Sequence, residues 1–464
     1  MHRKDEELNR NSQVTREIGA FTATSIVVAN IVGTGIFTTS GILAGQLPSP
    51  GWILLCWIFG GFIAIFGALC YAELATRMPE EGAEYTYLKK LYHPVLGFLT
   101  GWTSFFVGFS APIAAAAIGF SEYLYAGLDD RLLVLGSSQL IVVKKATAIS
   151  IILIFTFLHY VGLRTGARVQ NLLTVLKIVI VSGLASVGLL FGEGNWSNIS
   201  FQSGGSFEWT AIGTAMMLVM FSYSGWNASA YVAGELKQPR RTLPLSLITG
   251  TGIVIVLYLA VNLFIFHALP YSELRGTIAV VERASVSAFG HWMGKGLSIM
   301  VALALLSSLS AYIMIGPRVY FAMARDRLFF PFAAKVHPRY HVPSRSIVVQ
   351  GAIAVLMVLV GTFEQLLVYI GFALGIFPWL AVAGLFIARK RGVGDSSAVK
   401  VLGYPIVPIF FLVSTLALMV VAYMSRPVES TAAIVTVVAG IPCYILWVKA
   451  VKVPREATEE SQRG

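Results

Sequence analysis

Long apolar runs separated by short polar stretches set the pattern of this chain. A helix needs ~20 mainly apolar residues to cross a hydrocarbon core of ~30 Å. Twelve runs meet that length or come near it, around 18–44, 51–75, 94–127, 144–163, 168–191, 208–235, 242–269, 294–325, 346–361, 364–388, 402–424 and 431–450. A membrane barrel would instead show ~10-residue segments of alternating polarity. The pattern therefore predicts an all-α integral membrane protein with twelve transmembrane helices. A polar arm over 1–17 precedes them, and a polar tail over 452–464 follows. The arm does not read as a signal peptide, because the run after it is too long for an h-region and lacks a cleavage-type ending.

Composition agrees. Of 464 residues, 56% are hydrophobic and 12% charged, and the mean hydropathy is +0.75. Soluble proteins are about a quarter charged, so a solvated globular enzyme, a nucleic-acid-binding domain and a disordered scaffold are excluded. The net charge of +11 comes from topology and implies no nucleic-acid partner. With the N-terminus cytoplasmic, about 25 Lys and Arg fall on the cytoplasmic side against 7 outside, with Lys177 and Arg318 inside helices. That bias places both termini in the cytoplasm. Lys144-Lys145 is an exception on the outer side. The three cysteines, Cys56, Cys70 and Cys443, lie in apolar runs without CxxC spacing and give neither a disulfide framework nor a metal site.

Two runs are interrupted at matching places. Span 1 reads Ile31-Val32-Gly33-Thr34-Gly35-Ile36-Phe37 midway, and span 6 reads Phe221-Ser222-Tyr223-Ser224-Gly225-Trp226-Asn227. Five spans separate them, so the second copy crosses the membrane in the opposite direction. Paired interruptions of this kind point to an inverted-repeat secondary transporter of the LeuT type. Unwinding in lipid strands backbone groups at several kcal/mol each, so a break persists only where protein, water or ligand pairs them. The N–H groups that open the outer half of span 1 suit a carboxylate, and the freed carbonyls of both spans suit an ammonium. Together they describe an amino-acid zwitterion. The alternative is that these are packing glycines at small-xxx-small contacts.

"IVGTGIF" in span 1 resembles the first-helix motif of the amino acid–polyamine–organocation (APC) superfamily. "YAELATRMPEEGAEYTYLKKLY" (71–92) is similar to its span 2–3 signature, and "RVYFAMARD" (318–326) to its span 8 ending. "FSYSGWNASAYVAGELKQPRRTLPLSL" (221–247) resembles the sixth-helix region of the L-type amino-acid transporter branch. The resemblance implies a 5+5 inverted-repeat core over 18–390, with spans 11 and 12 over 391–451 outside it. It implies alternating-access transport of L-amino acids at a cell membrane, with no cofactor and no catalysis. By family position, the backbone of Thr34, Gly35 and Ile36 would bind the substrate carboxylate. The carbonyls of Ile31, Phe221 and Ser224 would take the amino group, with Phe221 as lid and Asn227 as a polar contact. The chain departs from the pattern at Ser224, where Gly is usual, and at Ala114–Ala117, where bulkier or polar residues are usual. The span 3–4 loop lacks the cysteine that links animal L-type chains to a heavy chain, so no such partner is expected.

Lys177 lies mid-span 5, where a central Lys costs ~2.5–3.5 kcal/mol on insertion scales and should face a partner inside the bundle. In several sodium-independent members of the superfamily, a Lys here stands in for a sodium ion and bridges span 1 to span 8. The resemblance therefore assigns Lys177 that role, with Ser307, Ser308 and Ser310 as span 8 oxygens, although serines that ease helix packing read equally well. Glu73, Glu122, Glu235 and Arg318 lie towards helix ends and read as solvated or locally paired. His159, Asn262 and His267 read as interhelical hydrogen-bonding residues. No GxxxxGK[ST] sequence appears, so ATP-driven pumping is not supported. No carboxylate lies near the midplane of spans 1, 3, 6, 8 or 10, which predicts a neutral substrate. The competing functions are a polyamine or other amine permease and an amino-acid sensor that does not transport.

Overall fold

The computed structural model describes residues 16–128, 137–201, 209–277, 280–340, 342–360, 363–425 and 427–451. The tail and nearly all of the N-terminal arm lie outside them, as does most of the span 3–4 loop. Among the described residues the regular structure is helical, and Ile18 and Leu236 form an isolated parallel bridge.

The first run is two helices, α1 (Ala20–Ile31) and α2 (Thr34–Ala44). Helix α3 (Pro50–Arg77) starts with a proline, whose missing N–H costs nothing in the first turn. It ends at Met78, which precedes Pro79 and is pushed out of the α region. A short helix α4 (Glu84–Leu91) follows, then α5 (Pro94–Thr103), whose start is capped by His93 Nδ1 accepting from Val95 N–H at 3.2 Å. A π-turn at Ser104–Gly108 interrupts the third run before α6 (Ser110–Gly127). Then come α7 (Ser137–Tyr160), α8 (Leu163–Phe191) and α9 (Trp209–Tyr223). The sixth run breaks after α9 and continues as a 3-10 helix over Ala228–Glu235. The longer helices that follow are α10 (Pro239–Ala268), α11 (Val280–Phe289), α12 (His291–Arg325), α13 (Ser344–Val360), α14 (Phe363–Arg391), α15 (Ile406–Ser425) and α16 (Pro427–Val451).

Among the described residues, nine helical stretches are long and apolar enough to cross a membrane, and Ser344–Val360 is a shorter apolar helix. Neither half of the broken sixth run reaches that length alone. The apolar faces point outward. On α8, Leu172, Val175, Leu176 and Val179 are exposed while Gln170, Thr174 and Lys177 are buried. Lipid rather than water is the solvent such a helix fits. Helices α1 and α2 lie at the centre: α8, α10 and α12 pack on α1, and α9 packs on α2. The half-spans α1 and the 3-10 segment are also joined at one end, where Ile18 N–H donates to Glu235 O and Lys237 N–H to Ile18 O.

Candidate functional site

The two interrupted runs meet at a cavity of about 100 Å³. In span 1 the helix stops at Ile31 and restarts at Thr34, with Gly33 extended between them and no side chain capping the new start. The first-turn N–H groups of α2 are therefore open to an anion. In span 6 the chain turns over 224–227, and Gly225 takes a φ of +101° that favours glycine. A Cβ there would meet Asn30 backbone atoms at 2.9 Å.

Each carbonyl freed in span 1 has a partner. Tyr312 Oη donates to Asn30 O at 2.9 Å. Tyr258 Oη lies 2.7 Å from Ile31 O and 2.8 Å from Ser222 O and shares its one proton between them, joining the two breaks. Lys177, 1% exposed, places Nζ 3.2 Å from Ala29 O and 2.6 Å from Ser308 Oγ, and also donates to Val32 O. Ser308 Oγ in turn donates to Val32 O at 2.7 Å. An ammonium has three donors, and here it has three acceptors.

Of the residues singled out from sequence, Ile31, Thr34, Gly35, Phe221, Ser224 and Asn227 line this one cavity. Ile36 is buried one step along α2 and is not part of the wall. Ser307 bonds Thr174 at 3.1 Å and Gln170 rather than Lys177, because it points to the α8 face one turn away. Ser310 likewise bonds His159 Nε2 at 2.9 Å, which gives that histidine an interhelical partner. Gly35 is tied to packing as well as to the site: a Cβ on it would lie 2.3 Å from Ser222 Oγ on α9. The break and the close helix contact, read from sequence as alternatives, coexist at this position.

The helix-end charges are paired. Arg318 and Glu235, 3% and 1% exposed, form a two-pronged ion pair at 2.7 and 3.2 Å. Glu73 accepts from Arg77, from Arg389 at 2.5 Å and from Val401 N–H at 2.8 Å. The outer exception Lys144 pairs with Glu122.

Sequence reasoning missed Glu84, Tyr231, Tyr258 and Tyr312. Glu84, Tyr231 and Tyr312 line the cavity, and Tyr258 ties its two breaks together. It also missed the π-turn, whose Ser104 and Gly108 reach the same wall. Such turns recur at functional sites, but no residue in "SFFVG" announces one.

An all-helical, lipid-facing fold built around two broken helices and a partly open cavity of mixed polar and apolar lining fits a membrane permease. The chain belongs to the amino acid permease family, whose model matches residues 18–447. It is therefore a transporter and not an enzyme, and it falls in the APC superfamily near the L-type branch. It is 29% identical over 451 residues to the serine/threonine exchanger SteT of Bacillus subtilis (strain 168), covering 96% of this chain and 98% of that one. It is 28% identical over 446 residues to the b(0,+)-type amino acid transporter 1 of Homo sapiens, covering 95% and 89%. With the Asc-type amino acid transporter 1 of Mus musculus it shares 26% over 441 residues, covering 93% and 81%.

Proposed function

We propose that this permease moves neutral L-amino acids across the cell membrane by alternating access, as a sodium-independent exchanger. The observation that carries the reading is Lys177 Nζ on the carbonyls of Ala29 and Val32 and on Ser308. Carbonyls stranded at a break in lipid call for a cation, and a tethered ammonium leaves no role for a bound sodium ion. The substrate carboxylate meets the N–H groups of Thr34 and Gly35 at the cavity wall, with the N–H of Ile36 next in the same turn. The amino group meets the carbonyls of Ile31, Phe221 and Ser224. Ile31 O and Phe221 O already accept bonds from within the protein, whereas among the described residues Ser224 O accepts none, which makes it the principal acceptor.

The frame of this reading is twelve spans, with a 5+5 inverted repeat over 18–390, spans 11 and 12 over 391–451, and both termini cytoplasmic. The odd offset between the two breaks and the Lys and Arg bias support it. No heavy-chain partner is required. Exchange is favoured over proton symport because a serine/threonine exchanger is among the relatives.

The test is uptake of labelled alanine, serine and leucine into proteoliposomes with and without internal amino acid. Exchange predicts uptake that depends on internal amino acid, whereas symport would give uptake driven by a pH gradient into empty vesicles. Competition in which arginine or lysine outcompetes alanine, serine and leucine would contradict the neutral preference.

A further inference from the structure

The cavity wall holds a carboxyl group that the transport reading leaves unused. Glu84 opens α4, is 1% exposed and lines the same cavity as Gly35 and Ser224. Its Oε1 accepts from Tyr71 Oη at 2.6 Å and from the Asn227 amide. Its Oε2 is buried without a partner. Tyr71 comes from α3, Asn227 and Tyr231 from the broken part of span 6, and Tyr87 from its own helix. These are phenols and an amide, and no ion pair to Glu84 is found among the described residues.

Burial pushes the carboxyl pKa up, against the neighbouring Tyr231 hydroxyl and the Tyr71 and Asn227 donors that pull it down, and the net shift favours the neutral form. Oε1 is already filled by donors, so in the neutral form the proton belongs on Oε2. The same contact orients Asn227. Its Nδ2 must face Glu84 Oε1, because an amide oxygen there would meet another acceptor, and Nδ2 also reaches Tyr231 Oη at 3.4 Å. The amide Oδ1 is left over, and it does not cap the following 3-10 helix. Thr103 on the same wall also leaves its buried Oγ1 unpaired.

We propose that Glu84 and Asn227 form a side-chain subsite that takes a hydroxyl-bearing amino acid, with Glu84 Oε2–H donating to the cargo hydroxyl and Asn227 Oδ1 accepting from it. A hydroxyl both donates and accepts, so it completes the pair. A methyl group completes neither half, and an ammonium satisfies only Oδ1. The inference rests on the reading that this cavity carries amino acids, and it names which of them the cavity prefers.

The test compares cargo pairs that differ by OH against CH3, serine with 2-aminobutyrate and threonine with valine, as kcat/KM ratios for exchange in proteoliposomes. Wild type should favour the hydroxyl member by about tenfold or more, because a buried polar pair left unmatched discriminates strongly. Glu84→Ala should bring the ratio to near one. Glu84→Gln, which keeps both a donor and an acceptor, should retain most of the preference. A purely structural role would slow both members of a pair equally and leave the ratio unchanged, and that result for Glu84→Ala would overturn the proposal. Should Glu84→Ala fail to reach the membrane, the wild-type ratio decides, and a value near one overturns the proposal. Absence of any amino-acid exchange by wild type would instead strike the transport reading itself.

Discussion

At the scale of the residue, Lys177 is the side chain whose removal has the clearest consequence. Its Nζ meets Ala29 O, Val32 O and Ser308 Oγ, and among the described residues no other side chain reaches Ala29 O beside the break. Lys177→Ala is expected to abolish uptake while the protein still inserts and elutes as a single species in detergent, checked by uptake and size-exclusion chromatography together. Gly35 is constrained by space. Since a Cβ would sit 2.3 Å from Ser222 Oγ, Gly35→Ala must push α2 from α9. Overpacking of this kind costs ~1–3 kcal/mol, so a lowered melting temperature is expected together with weakened substrate binding. Phe221 stands in the wall of the main cavity and of an apolar neighbour lined by Met217, Phe411 and Leu418. Phe221→Ala removes the barrier between them and is expected to lower kcat more than it raises KM.

At the scale of the element, the buried Arg318–Glu235 pair locks α12 to the end of span 6. Breaking a buried pair by removing one partner costs ~3–5 kcal/mol, because a bare charge stays behind, whereas replacing both is far milder. Glu235→Gln alone should therefore destabilise the protein more than Glu235→Gln combined with Arg318→Met, as read by thermal unfolding in detergent. Elements were legible in the sequence wherever lipid imposes a rule. The broken spans showed because glycines and polar residues inside an apolar run are exceptional. Lys177 showed for the same reason, as a charge where none is cheap. Glu84 did not show. It lies in the polar stretch "RMPEEGAEYTYLKK" between two apolar runs, and only the folding of α4 against Tyr71 and Asn227 buries it. Ser307 and Ser308 are adjacent in sequence and differ in role by the 100° that separates neighbours on a helix, so their assignment needed the partner helices in place.

At the scale of the whole molecule, the cavity, the paired breaks and the tethered ammonium form one device. Tyr258 holds both breaks together, and Ile18 joins α1 to the end of span 6, so the two interrupted runs are coupled at the cavity and at one face. Exchange through such a device needs a substrate to fill the site before the cavity reopens on the other side, which is why internal amino acid should accelerate uptake. The central claim is that Lys177 takes the place of a bound metal cation. It is tested most directly by replacing sodium with choline at fixed pH during exchange of a labelled neutral amino acid in proteoliposomes. An unchanged initial rate is predicted. A collapse of uptake in choline, restored by sodium, would contradict it.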